Sequence, residues 1–527
     1  MQHDVSKEGG ICMNILFAFA DDWGRYASAY AEHETAQSVN QLINTPNFDR
    51  VAAEGALFRN SFVPAPTCTP CRSSLLTGRY FWQTGLGAIL VGAVWDETIP
   101  SYPLELEKAG YHIGHTYKVW APGKTHNAPY GGKRTAYNGA GGKFNNFSHN
   151  ATERAAIVGI DAAKEELLAE TRQNFDEFLA ARPEGKPFCY WWGPTNTHRT
   201  WEQGSGKALW GLEPDDLEGR MPDFLPDVPD VREDFCDYLG ECQAVDAGLG
   251  VLIQRLEEIG ELENTLIVVS GDHGIPGMPR AKCNLYNIGS EVALAVRWPG
   301  RVQPGRVIDD FVNIMDLAPT FAEAAGVTLP EPVAGKSLVP LLERPESGQV
   351  ESERTFVVTG RERHVNDARE GDLPYPQRSI RTKDFLYIIN FEPDRWPMGD
   401  PKGLDDPDKA PPEYLDLQWK TRTAYADLDA SPTKAWMVYH RGDEEVRPLF
   451  QLAFGKRPYA ELYDLAKDPH YMNNVAGQPE YQAVEDQLHQ QLLQVLTEQQ
   501  DPRVVEQPCR FEQAPYAGPL ADFQTLL

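Results

Sequence analysis

Cys68 and Arg72 stand one helical turn apart in Cys68-Thr69-Pro70-Cys71-Arg72-Ser73-Ser74-Leu75-Leu76-Thr77-Gly78-Arg79. The segment reads as a loop entering a short helix. Thr69 is placed to cap it, Pro70 suits the first helical position, and Gly78 suits a left-handed stop. Residue 68 then sits at a helix N-terminus, where free N–H groups and the helix dipole favour an anion. Arg72 can turn a planar fork toward the same spot and so toward a tetrahedral oxyanion. The same residues admit a blander reading, with Cys68 and Cys71 as half a zinc site or a redox pair. A zinc site needs further Cys or His ligands at matching spacing, and no second CxxC is present. A redox pair would open a helix at its first Cys, which this reading does not.

Three apolar runs are placed to carry the remaining chemistry. Asn14-Ile15-Leu16-Phe17-Ala18-Phe19-Ala20 reads as a strand buried on both faces and ends in Asp21-Asp22. Pro187-Phe188-Cys189-Tyr190-Trp191-Trp192 is followed by a loop to His198, and the run Asn264–Ser270 ends in Gly271-Asp272-His273-Gly274. Phe235, Leu239, Cys242, Val245, Leu249, Leu252, Leu256 and Ile259 recur at helical spacing between the last two. This alternation predicts βαβ units and a parallel sheet. Polar residues then collect beyond the carboxyl ends of the strands, the edge at which open α/β sheets bind ligands. Asp21, Asp22, Asp272 and His273, so placed, suit a divalent cation. The carboxylates favour Ca²⁺, while the imidazole leaves Mg²⁺, Mn²⁺ and Zn²⁺ open.

Composition narrows the partners. The chain has 527 residues, 41% hydrophobic and 24% charged, a globular balance with room for a large core. Its formal charge of -28 argues against nucleic acid, whose partners present basic surfaces. An anionic substrate would be repelled at long range, so an anion site must be a local cluster of Lys, Arg and His. No apolar run is long enough to span a membrane. Eight cysteines are too sparse for a disulfide scaffold. The first thirteen residues have neither a basic n-region nor an apolar h-region. The expectation is a cytoplasmic protein, or a mature periplasmic or secreted form.

After about Leu342 the texture changes. Residues 343–353 are polar, 385–436 are rich in Pro, Asp and Tyr, and Phe385–Ile389 and Ala460–Asp464 read as strands. Val484, Leu488, Leu492 and Val495 mark an amphipathic C-terminal helix. The expected division is a catalytic α/β domain over 1–375 and a smaller α+β domain over 376–527 that contributes to the substrate pocket.

Cys-x-Pro-x-Arg followed by Leu-Thr-Gly-Arg resembles the signature of the type I sulfatases, in the alkaline phosphatase superfamily. The resemblance extends along nearly the whole chain. It includes Asn14 to Trp23, Thr45-Pro46-Asn47-Phe48-Asp49-Arg50 with Glu54-Gly55 and Phe58, Ser270 to Gly274, Asn313 to Thr320, Gly335 to Leu342, and Glu461 to Leu465 with Asp468-Pro469. It implies an alkaline-phosphatase-like domain with a mostly parallel central sheet flanked by helices, and a C-terminal domain with a short antiparallel sheet and a helix. It also implies that a separate maturation enzyme oxidises Cys68 to Cα-formylglycine, and that a cation sits on Asp21, Asp22, Asp272 and His273. Arg72, Lys118 and Lys282 would then contact sulfate, and His198 the leaving group. Two positions depart from the family pattern. Cys71 stands where a serine is usual, and Trp120 stands where a His two residues after Lys118 is expected. His115, His126 and Lys124 are the candidates to replace that His.

Asp272 to Pro276, Asn284-Leu285-Tyr286 and Lys467 to His470 resemble the heparan N-sulfatase branch. The implied substrate is a sulfated saccharide carrying a sulfamate or a sulfate ester. Arg199, Trp201, Arg361, Arg363, His364, Arg395 and Trp396 are candidates to bind it, the Trp faces for sugar rings and the Arg side chains for neighbouring sulfates or carboxylates. Two alternatives remain open, a phosphonate monoester hydrolase or phosphodiesterase of the same superfamily and a non-catalytic sulfoglycan-binding protein. Homo-oligomerisation is also left open.

Overall fold

A computed structural model describes residues 13–125, 130–406 and 408–518. Its centre is a seven-stranded sheet of β1 (Asn14–Ala20), β2 (Ala56–Phe62), β3 (His112–Tyr117), β4 (Phe188–Gly193), β5 (Thr265–Gly271), β6 (Leu294–Arg297) and β7 (Arg306–Asn313). The strands run in the order β3-β4-β1-β5-β6-β2-β7. β3, β4, β1 and β5 are mutually parallel, as are β2 and β7, and β6 alone runs against its neighbours. β1 occupies its expected span. Leu16, Ala18 and Ala20 pack into the core on one face of the sheet, while Ile15, Phe17 and Phe19 pack into the core on the other. The period of two along a strand therefore explains why no polar residue interrupts it.

The expected helix between β4 and β5 is longer than its apolar stripe, running Pro229–Glu258 with Pro in its first turn. A second, antiparallel sheet follows, formed by β8 (Phe356–Arg361), β9 (Gln377–Thr382), β10 (Phe385–Asn390) and β11 (Ala460–Asp464) in the order β11-β10-β9-β8. The C-terminal helix Gln482–Glu498 sets Leu488, Leu492 and Leu496 against it. β8 lies upstream of the expected division at 375/376, so the smaller sheet draws its first strand from the segment assigned to the larger domain. Residues between β10 and β11 form a helical insertion with its own core of Leu417, Leu428, Met437, Val438 and Phe450. Among the described residues no helix is long and apolar enough to cross a membrane.

Candidate active site

Strand direction brings the chemistry together. The carboxyl ends of β1, β3, β4 and β5 lie side by side, and Asp21-Asp22, Lys118, the loop to His198 and Asp272-His273 follow them directly. The backbone leaves β1 through Asp22 and β3 through Tyr117, both in the left-handed region at φ 56° and 66°. At the end of β4, Gly193 lets the chain pass very close to Lys118. A Cβ there would lie 1.9 Å from the Lys118 carbonyl oxygen, so no other residue fits.

The helix that follows β2 begins two residues earlier than expected. It runs Cys68–Thr77 and ends at Gly78, φ 68°, the predicted left-handed stop. Thr69 does not cap it, because its hydroxyl donates to the Pro122 carbonyl. Pro70 occupies the third helical position, where its missing N–H still costs nothing. The helix thus does open at the first Cys, contrary to the argument used against a redox pair. The thiols argue against that pair more directly, since Cys71 Sγ donates to the Asp272 carbonyl at 2.8 Å while Cys68 Sγ faces His273 Nε2 at 3.3 Å.

Residue 68 is ringed by charge. Asp22 Oδ1 lies 4.0 Å from its sulfur, and both Asp22 and Asp272 converge with His273 Nε2 at 3.2 and 3.5 Å. Arg72 is fully buried. It donates to Asp272 at 2.7 Å, to Asp21 at 3.1 Å and to the carbonyls of Lys118 and Val119. Lys118 Nζ meets both Asp21 oxygens at 2.7 Å. Lys282 Nζ lies 2.9 Å from Asp22 and 3.2 Å from Asp429. His198 donates Nδ1–H to the Arg199 carbonyl at 2.7 Å and points Nε2 toward Asp22 at 3.9 Å.

These contacts set the electrostatics. Burial works to raise the Asp21 carboxyl, but Lys118 and Arg72 outweigh it and hold the group well below the usual range. For Asp22 burial prevails, aided by Asp21 and Asp272 against Lys282 and His273, and the carboxyl is pushed up to about 7. Asp22 is thus a buried carboxyl whose charged form a divalent cation would favour. Asp22, Cys68 and His273 form one set of mutually close donor atoms, and Asp21, Cys68 and Asp272 form another. The residues present therefore fit a cation. Burial, with Asp21, also pushes the Cys68 thiol well above its ordinary value. An unmodified thiol here is a poor nucleophile.

The candidates for substrate contact separate in the structure. Arg199 commits its fork to Asp234 at 2.7 and 2.9 Å and lies over the ring of Trp201, itself buried with Nε1 on the His198 carbonyl. Both residues hold the His198 loop rather than open a face to a saccharide. Arg361 is buried on Asp427 and the Cys283 carbonyl, and Arg395 pairs with Glu512. Trp396 is half-buried, with Lys456 over its ring. Among the described residues no hydrogen bond or ion pair joins Arg395 or the Trp396 side chain to the Cys68 cluster. His364 does reach the site margin, its Nδ1 2.7 Å from the Thr67 hydroxyl beside Cys68. Arg363 is buried, donating to the Val91 carbonyl.

Of the candidates for the expected His after Lys118, His115 is buried away on Thr135, His126 lies outside the described residues, and Lys124 pairs its backbone with Ala93 and Trp95. Trp120, in that His's place, donates Nε1 to the Ser73 hydroxyl. Sequence reasoning missed Asp429, Asp427 and Thr197, whose hydroxyl donates to the Asp21 carbonyl. No local pattern marks any of the three.

The sulfatase family model matches residues 13–327, and a model described as the C-terminal region of N-sulphoglucosamine sulphohydrolase matches 280–409. The chain belongs to the sulfatase family. Human N-sulphoglucosamine sulphohydrolase is 27% identical, over 94% of this sulfatase and 93% of the human protein. N-acetylglucosamine-6-O-sulfatase of Bacteroides thetaiotaomicron is 24% identical, over 82% and 90%. Two solved structures share the fold of this sulfatase. One holds its substrate D-glucosamine-2-N,6-O-disulfate (TM-score 0.59, 19% identity, 94% and 100% of the two chains). The other is a phosphonate monoester hydrolase of Agrobacterium radiobacter (TM-score 0.61, 18% identity, 92% and 96%). The large mixed sheet and the separate four-stranded sheet are those of the sulfatase fold.

Proposed function

We propose that this sulfatase removes the N-sulfate from a glucosamine residue of a sulfated saccharide, through a formylglycine that a maturation enzyme makes from Cys68. The carrying observation is that residue 68, at a helix tip, meets three aspartates and His273 on one side and faces Arg72, Lys118 and Lys282 across them. The match to the N-sulphoglucosamine sulphohydrolase model and the human relative favour a sulfamate over a sulfate ester.

A hydrated aldehyde at position 68 supplies an oxygen nucleophile and a second hydroxyl through which sulfate is later expelled. Asp21, Asp22, Asp272 and His273 would hold a divalent cation, Ca²⁺ for preference, which would supply positive charge to the site. Lys118 and Lys282 offer N–H donors to the sulfuryl oxygens, in a buried setting where such donors act strongly, while Arg72 fixes Asp21 and Asp272 and adds positive charge from behind them. His198, its Nδ1–H fixed by the Arg199 carbonyl, turns Nε2 toward the leaving atom and, as the doubly protonated imidazolium, delivers the Nε2 proton as the bond to sulfur breaks.

Peptide mass spectrometry of the segment around Cys68, from a host with the maturation enzyme, tests the nucleophile. Turnover of N-sulfoglucosamine, an O-sulfated glucosamine and a phosphonate monoester tests the substrate. An aldehyde with sulfate released from the sulfamate is expected. An intact thiol in fully active protein would overturn the nucleophile, and preference for the phosphonate would reassign the reaction. Binding of sulfated glycan without release would make the protein a binder.

A further inference from the structure

Asp429 reaches the site from the helical insertion between β10 and β11. Its Oδ2 forms an ion pair with Lys282 Nζ at 3.2 Å. One oxygen of Asp429, one of Asp22 and a ring nitrogen of His198 all lie within 4.8 Å of one another. His198 Nδ1 is already committed to the Arg199 carbonyl, so the acceptor of Asp429 and the imidazole face of His198 share one small space.

The insertion is clamped to hold Asp429 there. Lys434 is fully buried and donates Nζ to the carbonyls of Thr421, Tyr425 and Leu428, the loop that carries the residue. Ser431, two residues on, donates to the Gly277 carbonyl, and Thr433 donates to Asp234, the partner of Arg199. Asp427 pairs with Arg361 and Arg369. The Asp429 side chain is 18% exposed, while its Oδ2 is itself buried beside Lys282.

We infer that Asp429 is a specificity-determining residue that accepts a hydrogen bond from the leaving nitrogen of a sulfamate, the class of substrate proposed above, on which this inference rests. A sulfamate nitrogen carries a hydrogen before the bond to sulfur breaks, and the amine it becomes is cationic in water. An ester oxygen carries none, and its lone pairs would face those of the carboxylate. A carboxylate beside the leaving atom therefore attracts one substrate and repels the other, discrimination built from both signs of interaction. Asp429 also holds Lys282 by charge, so the two roles must be separated by experiment.

The test uses full-length, matured Asp429→Asn and Asp429→Ala with N-sulfoglucosamine as substrate, and product inhibition by glucosamine and by inorganic sulfate. Loss of a charge-assisted hydrogen bond predicts a fall in kcat/KM of about 10- to 100-fold. Inhibition by glucosamine should weaken by about 10-fold or more, while inhibition by sulfate, which reports Lys282 and an intact fold, stays within about 3-fold. Equal weakening of both products, weakening of sulfate alone, no change, or failure of glucosamine to inhibit the parent enzyme would each overturn the assignment. A parent enzyme that releases sulfate only from an O-sulfated sugar would remove the sulfamate reading and this inference with it. Loss confined to the variants' response leaves that reading standing.

Discussion

Cys68 Sγ lies 3.3 Å from His273 Nε2, although the two residues are 205 positions apart. One stands at the tip of the helix after β2 and the other just beyond β5. The proposed site of modification and the fourth residue of the proposed cation set are therefore neighbours, and an oxygen built at position 68 would share the donor space of the three aspartates. Cys68→Ala is expected to abolish sulfate release, by about 10⁴-fold or more, because the remaining groups only bind and polarise. Calcium binding measured by calorimetry should persist, since the carboxylates are untouched.

Asp22 gives a pH dependence of known sign. Its carboxyl is raised to about 7 by burial and by Asp21 and Asp272. The native cation-free protein then holds a proton there that the unfolded chain has released, so this group's contribution to stability falls as pH rises from about 4 to 7. Asp22→Asn should thus stabilise the chelator-treated protein more at pH 7.5 than at pH 5.5, by roughly 2 kcal/mol. Urea unfolding at the two pH values reads the difference. Added calcium should reverse the ranking for the parent protein.

Lys118 is positioned by the close passage at Gly193. Gly193→Ala would force the Lys118 carbonyl away from a Cβ only 1.9 Å distant and disturb the ammonium that bridges both Asp21 oxygens. The expected result is a fall in kcat/KM of about 100-fold with β4 still formed, because a displacement of about 1 Å is costly at a preorganised site. Lys118→Ala should cost at least as much and leave the buried Asp21 with Arg72 as its remaining ion-pair partner.

Asp427 joins Arg361 and Arg369, all three buried. Burial works to raise its carboxyl, but the two guanidinium groups prevail and hold it at about 2. Its contribution is fully present above about pH 4 and fades as pH falls toward 2. Asp427→Ala should destabilise the protein by about 3–5 kcal/mol, as expected when one partner leaves a buried pair. Denaturant titration at neutral pH measures it.

His115 is expected to be dispensable for turnover. It is buried on Thr135, and burial lowers its pKa to about 4. His115→Asn should change kcat by less than about 3-fold, with a modest loss of stability from the altered hydrogen bond. A large loss of kcat with unchanged unfolding would place His115 in the reaction after all.

The apolar runs, the Asp21-Asp22 and Asp272-His273 pairs at their ends, and the left-handed stop at Gly78 were all legible along the chain. Strand burial, helix periodicity and glycine stereochemistry act over a few residues, and β1, β10 and β11 accordingly fall within a residue of their expected spans. The helix start at Cys68 was not legible, because Thr69 is drawn to the carbonyl of Pro122, fifty-three residues away. Nor were the roles of Arg199, Arg361 and Arg395. A guanidinium on a loop looks alike in sequence whether it awaits a ligand or already pairs with Asp234, Asp427 or Glu512. Asp429 shows the same limit from the other side. An acidic residue in a Pro- and Asp-rich stretch carries no local mark, and only the packing of the insertion against the loop after β5 and the helix Pro229–Glu258 sets that carboxylate beside Lys282 and His198. Charge partners in a folded chain are chosen by distance in space, and that distance is decided by the whole sheet and core rather than by neighbouring residues.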